Sequence, residues 1–298
     1  MTRPAANPDN VTGICLMVAS MALFGVEDMF LKWAAQGLPL GQIIFISGAF
    51  GMPVFVLIAW RQGQRIWVKD ALQPAVLARN FGEMVGTGGY IAALATVPLS
   101  TVSAVLQAMP LAVTMGAALF LREVVGWRRW SAIAVGFLGV LIVIRPGVDG
   151  FRPEALWVLL TVAGLGLRDL ASRAIPPQVT TAQVSAWGLA AVALLGVMMM
   201  GWSGEVGAVG AWQGFVLLGA LLFGTAGYWA ITAATRTGEV SVVAPFRYTR
   251  LIFAIVIGAL VFGEWPDHLT YLGAALIIGS GLYSFARERG RKRASHAV

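Results

Sequence analysis

Long apolar runs alternate with short polar joints along the whole chain. Ten runs come close to or exceed the roughly 20 residues that cross a bilayer as a helix: 11–33, 40–60, 76–97, 100–121, 128–145, 154–174, 181–202, 212–235, 240–262 and 268–286. Proline, glycine and charge mark the joints, as at Leu38-Pro39, Arg145-Pro146-Gly147, Ile175-Pro176-Pro177 and Glu264-Trp265-Pro266. The joints are too short to hold a soluble domain. The pattern predicts an all-α integral membrane protein with ten transmembrane helices.

The pattern also repeats. Gly25-Val-Glu-Asp-Met-Phe-Leu-Lys32 returns as Gly166-Leu-Arg-Asp-Leu-Ala-Ser-Arg173. Gly86-Thr-Gly-Gly-Tyr-Ile-Ala-Ala returns as Gly224-Thr-Ala-Gly-Tyr-Trp-Ala-Ile, and Val102-Ser103 as Val240-Ser241. Two half-repeats of five helices each follow, residues 1–148 and 149–298. Five is odd, so the halves enter the membrane in opposite directions, a 5+5 inverted repeat. The loop after the fourth span agrees: it carries Arg122, Arg128 and Arg129 in the first half, and Glu264, Asp267 and His268 in the second. Inverted repeats are typical of secondary transporters, which hold substrate near the midplane and work by alternating access.

Composition narrows the class. The chain has 298 residues, 58% hydrophobic and 12% charged, with mean hydropathy +0.78. Soluble domains carry about twice that share of charge. The net charge of +7 is a topology signal rather than a nucleic-acid footprint. With the N-terminus inside, 15 of the 21 Lys and Arg lie in inside segments and three outside; Arg168, Arg247 and Arg250 lie within spans. Cytoplasmic loops carry such an excess, so both termini are expected in the cytoplasm of a bacterial inner membrane, with the basic tail Arg287–Arg293 at the anionic leaflet. The first run is too long for a signal-peptide core and has no small-residue cleavage site. One cysteine, Cys15, and two histidines, His268 and His296, exclude an intrachain disulfide and argue against a Cys/His metal site. No cofactor is expected. No phosphate-binding Gly-Lys-Ser/Thr loop is present, which argues against a pump on this chain.

Charges inside spans are costly and mark function or pairing. Asp28 precedes Lys32 by one turn, and Asp169 precedes Arg173 by one turn; these read as structural i,i+4 ion pairs. Glu27 and Arg168 stand at equivalent repeat positions with opposite sign. Either they face a central cavity, where they hold a substrate ammonium and a substrate carboxylate, or they pair with each other or with Glu83 or Arg247 and only gate or brace the bundle. Glu83 shares a helix face with Thr87 and Tyr90. Gly82 and Gly86 allow close helix approach, and Gly86 and Gly224 read as packing. Tyr90 and Tyr228 are cavity or packing residues. Arg247 lines a cavity opened by Pro245 or anchors its helix near the leaflet. Gln107, Trp187 and Tyr248 complete the set of cavity candidates. Glu27 and Glu83 are the acids available to a coupling proton.

Leu121-Arg122-Glu123 and Phe262-Gly263-Glu264 end the fourth span of each half, and Pro110 precedes Glu123 within that span. With five-plus-five spans, these resemble the EamA-type branch of the drug/metabolite transporter superfamily, and within it the bacterial aromatic amino acid exporters. Leu251 stands where the second half's proline is expected. The resemblance implies efflux of aromatic amino acids or similar small zwitterions, not enzymatic activity. Two other readings compete. Efflux of cationic amphiphiles would leave the arginines idle. An intramembrane aspartyl protease built on Asp28 and Asp169 is disfavoured, because each aspartate has its own nearby base.

Overall fold

The protein is described by a computed structural model over residues 8–146 and 152–295. The junction expected at 148/149, the segment holding Arg3, and His296 lie outside the described residues. Twelve helices run α1 Pro8–Ala35, α2 Leu40–Arg61, α3 Pro74–Thr96, α4 Leu99–Leu106, α5 Met109–Phe120, α6 Trp127–Ile144, α7 Leu156–Ser172, α8 Thr181–Ser203, α9 Ala211–Thr237, α10 Val240–Val243, α11 Arg250–Phe262 and α12 His268–Ser295. Nine spans among the described residues have the length and hydropathy to cross a membrane. The tenth is α3, whose 23 residues carry Arg79, Asn80 and Glu83. All ten predicted spans are therefore present.

Two spans are broken, and at equivalent places. The fourth changes from α4 to α5 at Gln107–Ala108, just before Pro110. The ninth passes from α10 to α11 through a 3₁₀ segment, Ala244–Thr249, that begins with Ala244-Pro245. Proline supplies no backbone donor, so a break beside it leaves carbonyls that need another partner. Gln107 provides one: its side-chain amide donates to the Tyr248 carbonyl at 3.1 Å, joining the two breaks across the halves.

The four most extensive helix pairings are α1 with α9, α2 with α8, α3 with α7 and α6 with α12. Each joins one half to the other. Exchanging the halves turns α1–α9 into α7–α3 and maps the other two onto themselves, so the packing carries the repeat symmetry. Glycine sets the closest crossings. A Cβ on Gly164 of α7 would stand 2.4 Å from the Gly86 nitrogen, and one on Gly48 of α2 2.4 Å from the Ala193 nitrogen.

Joint-to-joint contacts place the chain ends. We call the face holding both ends the tail face. There Gln183 donates to the Arg65 carbonyl at 2.7 Å and Trp187 to the Ile66 carbonyl at 3.0 Å. On the opposite face Gln42 and Gly207 exchange two hydrogen bonds, and Arg145 pairs with Asp267. Asp267 also caps α12 by accepting from the Thr270 backbone at 2.9 Å. The hydrogen bond from Arg145 is the main reason the Asp267 carboxyl falls to about 2. A lowered carboxyl stabilises the fold above its unfolded pKa, about 3.9. That contribution is expected to persist above about pH 4 and to be lost as pH falls toward about 2. Half-exposed surface pairs contribute little, so an acid titration of Asp267→Asn should differ only modestly from the native protein, and only above about pH 2.

The two Leu/Phe-x-Glu segments share one backbone turn. Arg122 has φ 53° and Gly263 φ 66°. In each, the following glutamate's N–H returns to the carbonyl six residues earlier: Glu123 to Ala117 at 3.2 Å, Glu264 to Gly258 at 2.9 Å. Glycine accepts this left-handed conformation and arginine pays for it by steric strain. Arg122→Gly is expected to raise unfolding free energy by about 1 kcal/mol, measurable by denaturant or heat unfolding in detergent.

Candidate functional site

Among the described residues, and apart from the Lys32–Glu264 pair near the opposite face, the charges inside the spans form two clusters. The deeper one is built by α1, α3 and the start of α11. Asp28 is 1% exposed. Arg250 donates to both its carboxylate oxygens at 2.9 Å and to the Tyr90 hydroxyl at 2.7 Å. The Tyr90 hydroxyl in turn donates to Asp28. The guanidinium also lies over the rings of Phe24 and Tyr90, 5.3 and 5.7 Å from their centres. The cation and the anion are thus paired and hydrogen-bonded to each other, the condition under which a buried pair persists, while the Arg250 Nε stays buried without a partner among the described residues.

The second cluster lies nearer the tail face, on α3, α7, α9 and the 3₁₀ segment. Glu83 accepts from Arg79 at 2.8 Å and from Arg168 at 3.4 Å; Arg168 also holds Asp169 at 2.8 Å. The Arg79 guanidinium rests directly on the backbone of Gly188, where a Cβ would meet it at 1.9 Å. Tyr228 and Asp169 lie within electrostatic range of Arg79, and Asp169 and Arg168 within range of Arg247. Arg247 is exposed, and Tyr228 is 41% exposed with its ring edge-on to Phe55. Arg247 makes no hydrogen bond or ion pair among the described residues, nor does Glu27. The Glu27 carboxylate lies against Gly224 of α9, where a Cβ would stand 2.5 Å from it.

The apolar core is divided unevenly between the two faces. The largest buried cluster occupies the opposite-face half and joins both repeats, from Phe30, Leu31 and Ile43 through Leu94, Val97 and Leu99 to Val143, Val158, Val216 and Ile277. Toward the tail face the core splits. Met17, Met21, Ala234 and Val243 form one cluster; Val76, Val184 and Trp187 form another. The second charge cluster sits at this divided end.

Several expectations change. Asp28 does not pair with Lys32, nor Asp169 with Arg173. Tertiary partners win over the helical neighbour: Asp28 takes Arg250, Lys32 takes Glu264 at 2.6 Å, Asp169 takes Arg168, and Arg173 takes Glu123 at 2.8 Å. Gln107 is 8% exposed and committed to the Tyr248 carbonyl, so it bridges the helix breaks rather than lining a cavity. Trp187 packs under the 62–73 joint. Tyr248 turns toward α12, its hydroxyl against Gly281, beside an apolar groove lined by Ile252, Ile255, Ile278 and Leu282. Tyr90 belongs to the deep network. Gly86 packs on Leu165 as expected, whereas Gly224 makes room for Glu27. Arg79, not singled out as a candidate in the sequence, belongs to the second cluster; its i,i+4 spacing from Glu83 was the available signal. The Lys32–Glu264 pair was missed too. Its signal was the common repeat offset linking Lys32 to Arg173 and Glu264 to Glu123.

Known proteins place the chain. A solved crystal structure superposes with TM-score 0.58 at 18% identity over 95% of this chain and 98% of that one, which shows a shared fold. The riboflavin transporter of Rhizobium johnstonii is 31% identical over 95% of this chain and 94% of its own length. The S-adenosylmethionine uptake transporter of Rickettsia prowazekii is 24% identical over 96% of each chain. The pseudopaline exporter of Pseudomonas aeruginosa is 26% identical over 90% and 93%. These relatives share a transporter framework and differ in cargo, so the narrower likeness to aromatic amino acid exporters does not extend to them. The EamA-like transporter family matches twice, over residues 11–145 and 152–285, once for each half of the inverted repeat, and the chain belongs to that family of membrane transporters.

Proposed function

We propose that this protein is a secondary transporter for a small zwitterionic metabolite with an aromatic or heterocyclic face, aromatic amino acids included, and that the divided tail-face end is its cytoplasmic entrance. One observation carries the reading. Among the described intramembrane charges, Asp28, Arg79, Glu83, Arg168, Asp169 and Arg250 are paired. The two left without partners among the described residues are one base, Arg247, and one acid, Glu27. An unpaired charge within a span costs about 2.5–3.5 kcal/mol or more, a cost that a ligand of both signs offsets. Arg247 offers a planar fork for a carboxylate, Glu27 an acceptor for an ammonium, and Tyr228 with Phe55 an aromatic wall. The excess of Lys and Arg on tail-face joints supports the cytoplasmic assignment. Relatives include uptake transporters and an exporter, so direction follows from gradients and coupling.

The test is equilibrium binding of labelled tryptophan, S-adenosylmethionine and riboflavin to purified protein. Arg247→Gln and Glu27→Gln are each expected to weaken binding of a zwitterion at least tenfold, about 1.4 kcal/mol. Thermal stability should not fall in either variant, since neither residue gives up a protein partner and each substitution removes an unpaired charge. Unchanged zwitterion binding in both variants would overturn the reading.

A further inference from the structure

Two ion pairs are images of each other under the repeat. Lys32 ends α1 and Arg173 follows α7; Glu264 follows α11 and Glu123 follows α5. Both glutamates sit on the same left-handed turn, which aims them alike. Their surroundings differ. On the opposite face, Lys32 and Glu264 meet at 2.6 Å with side chains 9% and 21% exposed. Lys32 also donates to the Val97 carbonyl at 2.9 Å, and Glu264 accepts from the Leu99 backbone at 2.9 Å. That knot ties α1 and α11 to the linker between α3 and α4. On the tail face, Arg173 and Glu123 meet at 2.8 Å with side chains 49% and 48% exposed. They reach no linker: neither side chain makes another hydrogen bond among the described residues. The corresponding linker joins α9 to α10 around Gly238. The same chemistry is thus buried and complete at one end, and exposed and incomplete at the other. The core is likewise continuous at the first end and divided at the second.

We propose that Glu264 and Glu123 are alternating gate residues. Glu264, with Lys32, locks the opposite face in the state seen here. Glu123, with Arg173, locks the tail face in the other state by reaching the α9–α10 linker as Glu264 reaches Leu99. The proposal rests on the alternating-access reading above. It makes the two glutamates positioning residues that set which face is open, without touching cargo.

The experiment is distance measurement by spin labels in nanodiscs, on full-length protein with the exposed Cys15 replaced by alanine. Thr96→Cys with Trp265→Cys reports the opposite face; Val124→Cys with Glu239→Cys reports the tail face. The background protein is expected to give a short opposite-face and a long tail-face distance. Glu264→Gln should lengthen the first and shorten the second, and Glu264→Asp should do so only partly. Adding Glu123→Gln to Glu264→Gln should prevent the tail-face shortening. Glu123→Gln alone, at an exposed site, should fold normally and leave the tail face open. Should Glu264→Gln prove unstable, Lys32→Gln tests the same lock. Each protein is measured with and without tryptophan. Distances that respond to tryptophan but ignore both glutamates overturn the gate assignment alone. Distances fixed in every variant, with and without tryptophan, overturn alternating access as well.

Discussion

Asp28→Ala is expected to lower unfolding free energy by about 3–5 kcal/mol, the effect of leaving a buried partner charge unpaired. Arg250 would lose two 2.9 Å hydrogen bonds to the carboxylate and keep only Tyr90 and the ring faces. Its Nε is already buried without a partner, so nothing nearby compensates. Asp28→Asn should cost less, because the amide oxygen still accepts. Replacing both partners with apolar residues, Asp28→Leu with Arg250→Met, should recover much of the loss. The cycle of native protein, Asp28→Leu, Arg250→Met and the double variant isolates the pair. Denaturant unfolding in detergent reads every variant. A loss below about 1 kcal/mol for Asp28→Ala would show that the network is not the brace described here.

Gly164→Leu is the second large effect. Even the first carbon of a side chain would stand 2.4 Å from the Gly86 nitrogen, 2.7 Å from its Cα and 2.9 Å from the Gly82 carbonyl oxygen. Backbone on both sides cannot rotate away, so α7 must retreat from α3. Overpacking typically costs about 1–3 kcal/mol, and the leucine branch adds to it. Glu83 on α3 and Arg168 on α7 meet across this crossing, so displacement should also open the second charge cluster. Gly164→Ala should show the same defects in milder form. The outcomes to measure are thermal unfolding and zwitterion binding; a stable leucine variant with native binding would contradict the packing described.

The periodicity of apolar runs was enough for ten spans, and the echoes at Gly86/Gly224 and Gly25/Gly166 were enough for two inverted halves. Side-chain partners were another matter. The Asp28–Lys32 spacing is a genuine helical neighbour relation. Yet α11 brings Arg250 to the same carboxylate from a residue 222 positions away, and no local rule sees it. Gln107 read as a polar cavity group because the break at Tyr248, which consumes its amide, arises only when the ninth span leaves α-helical geometry. Glu27 and Arg247 were picked out as charges within spans, but that they find no partner among the described residues follows only from the three-dimensional arrangement. Glu123 and Glu264 were legible as family-like segment ends. The difference in their burial was not, because it depends on which helices and linkers pack around each of them in the fold.

Uptake into proteoliposomes holding the purified protein tests the central claim most directly. Labelled phenylalanine, tryptophan, S-adenosylmethionine, riboflavin and a lipophilic cation would be offered with and without an imposed pH gradient. The account predicts saturable transport of at least one zwitterion, lost in Arg247→Gln, with the cation excluded. Dependence on the gradient would assign a proton to a carboxylate, Glu27 first. Transport of the lipophilic cation alone, indifferent to Arg247→Gln, would contradict the account.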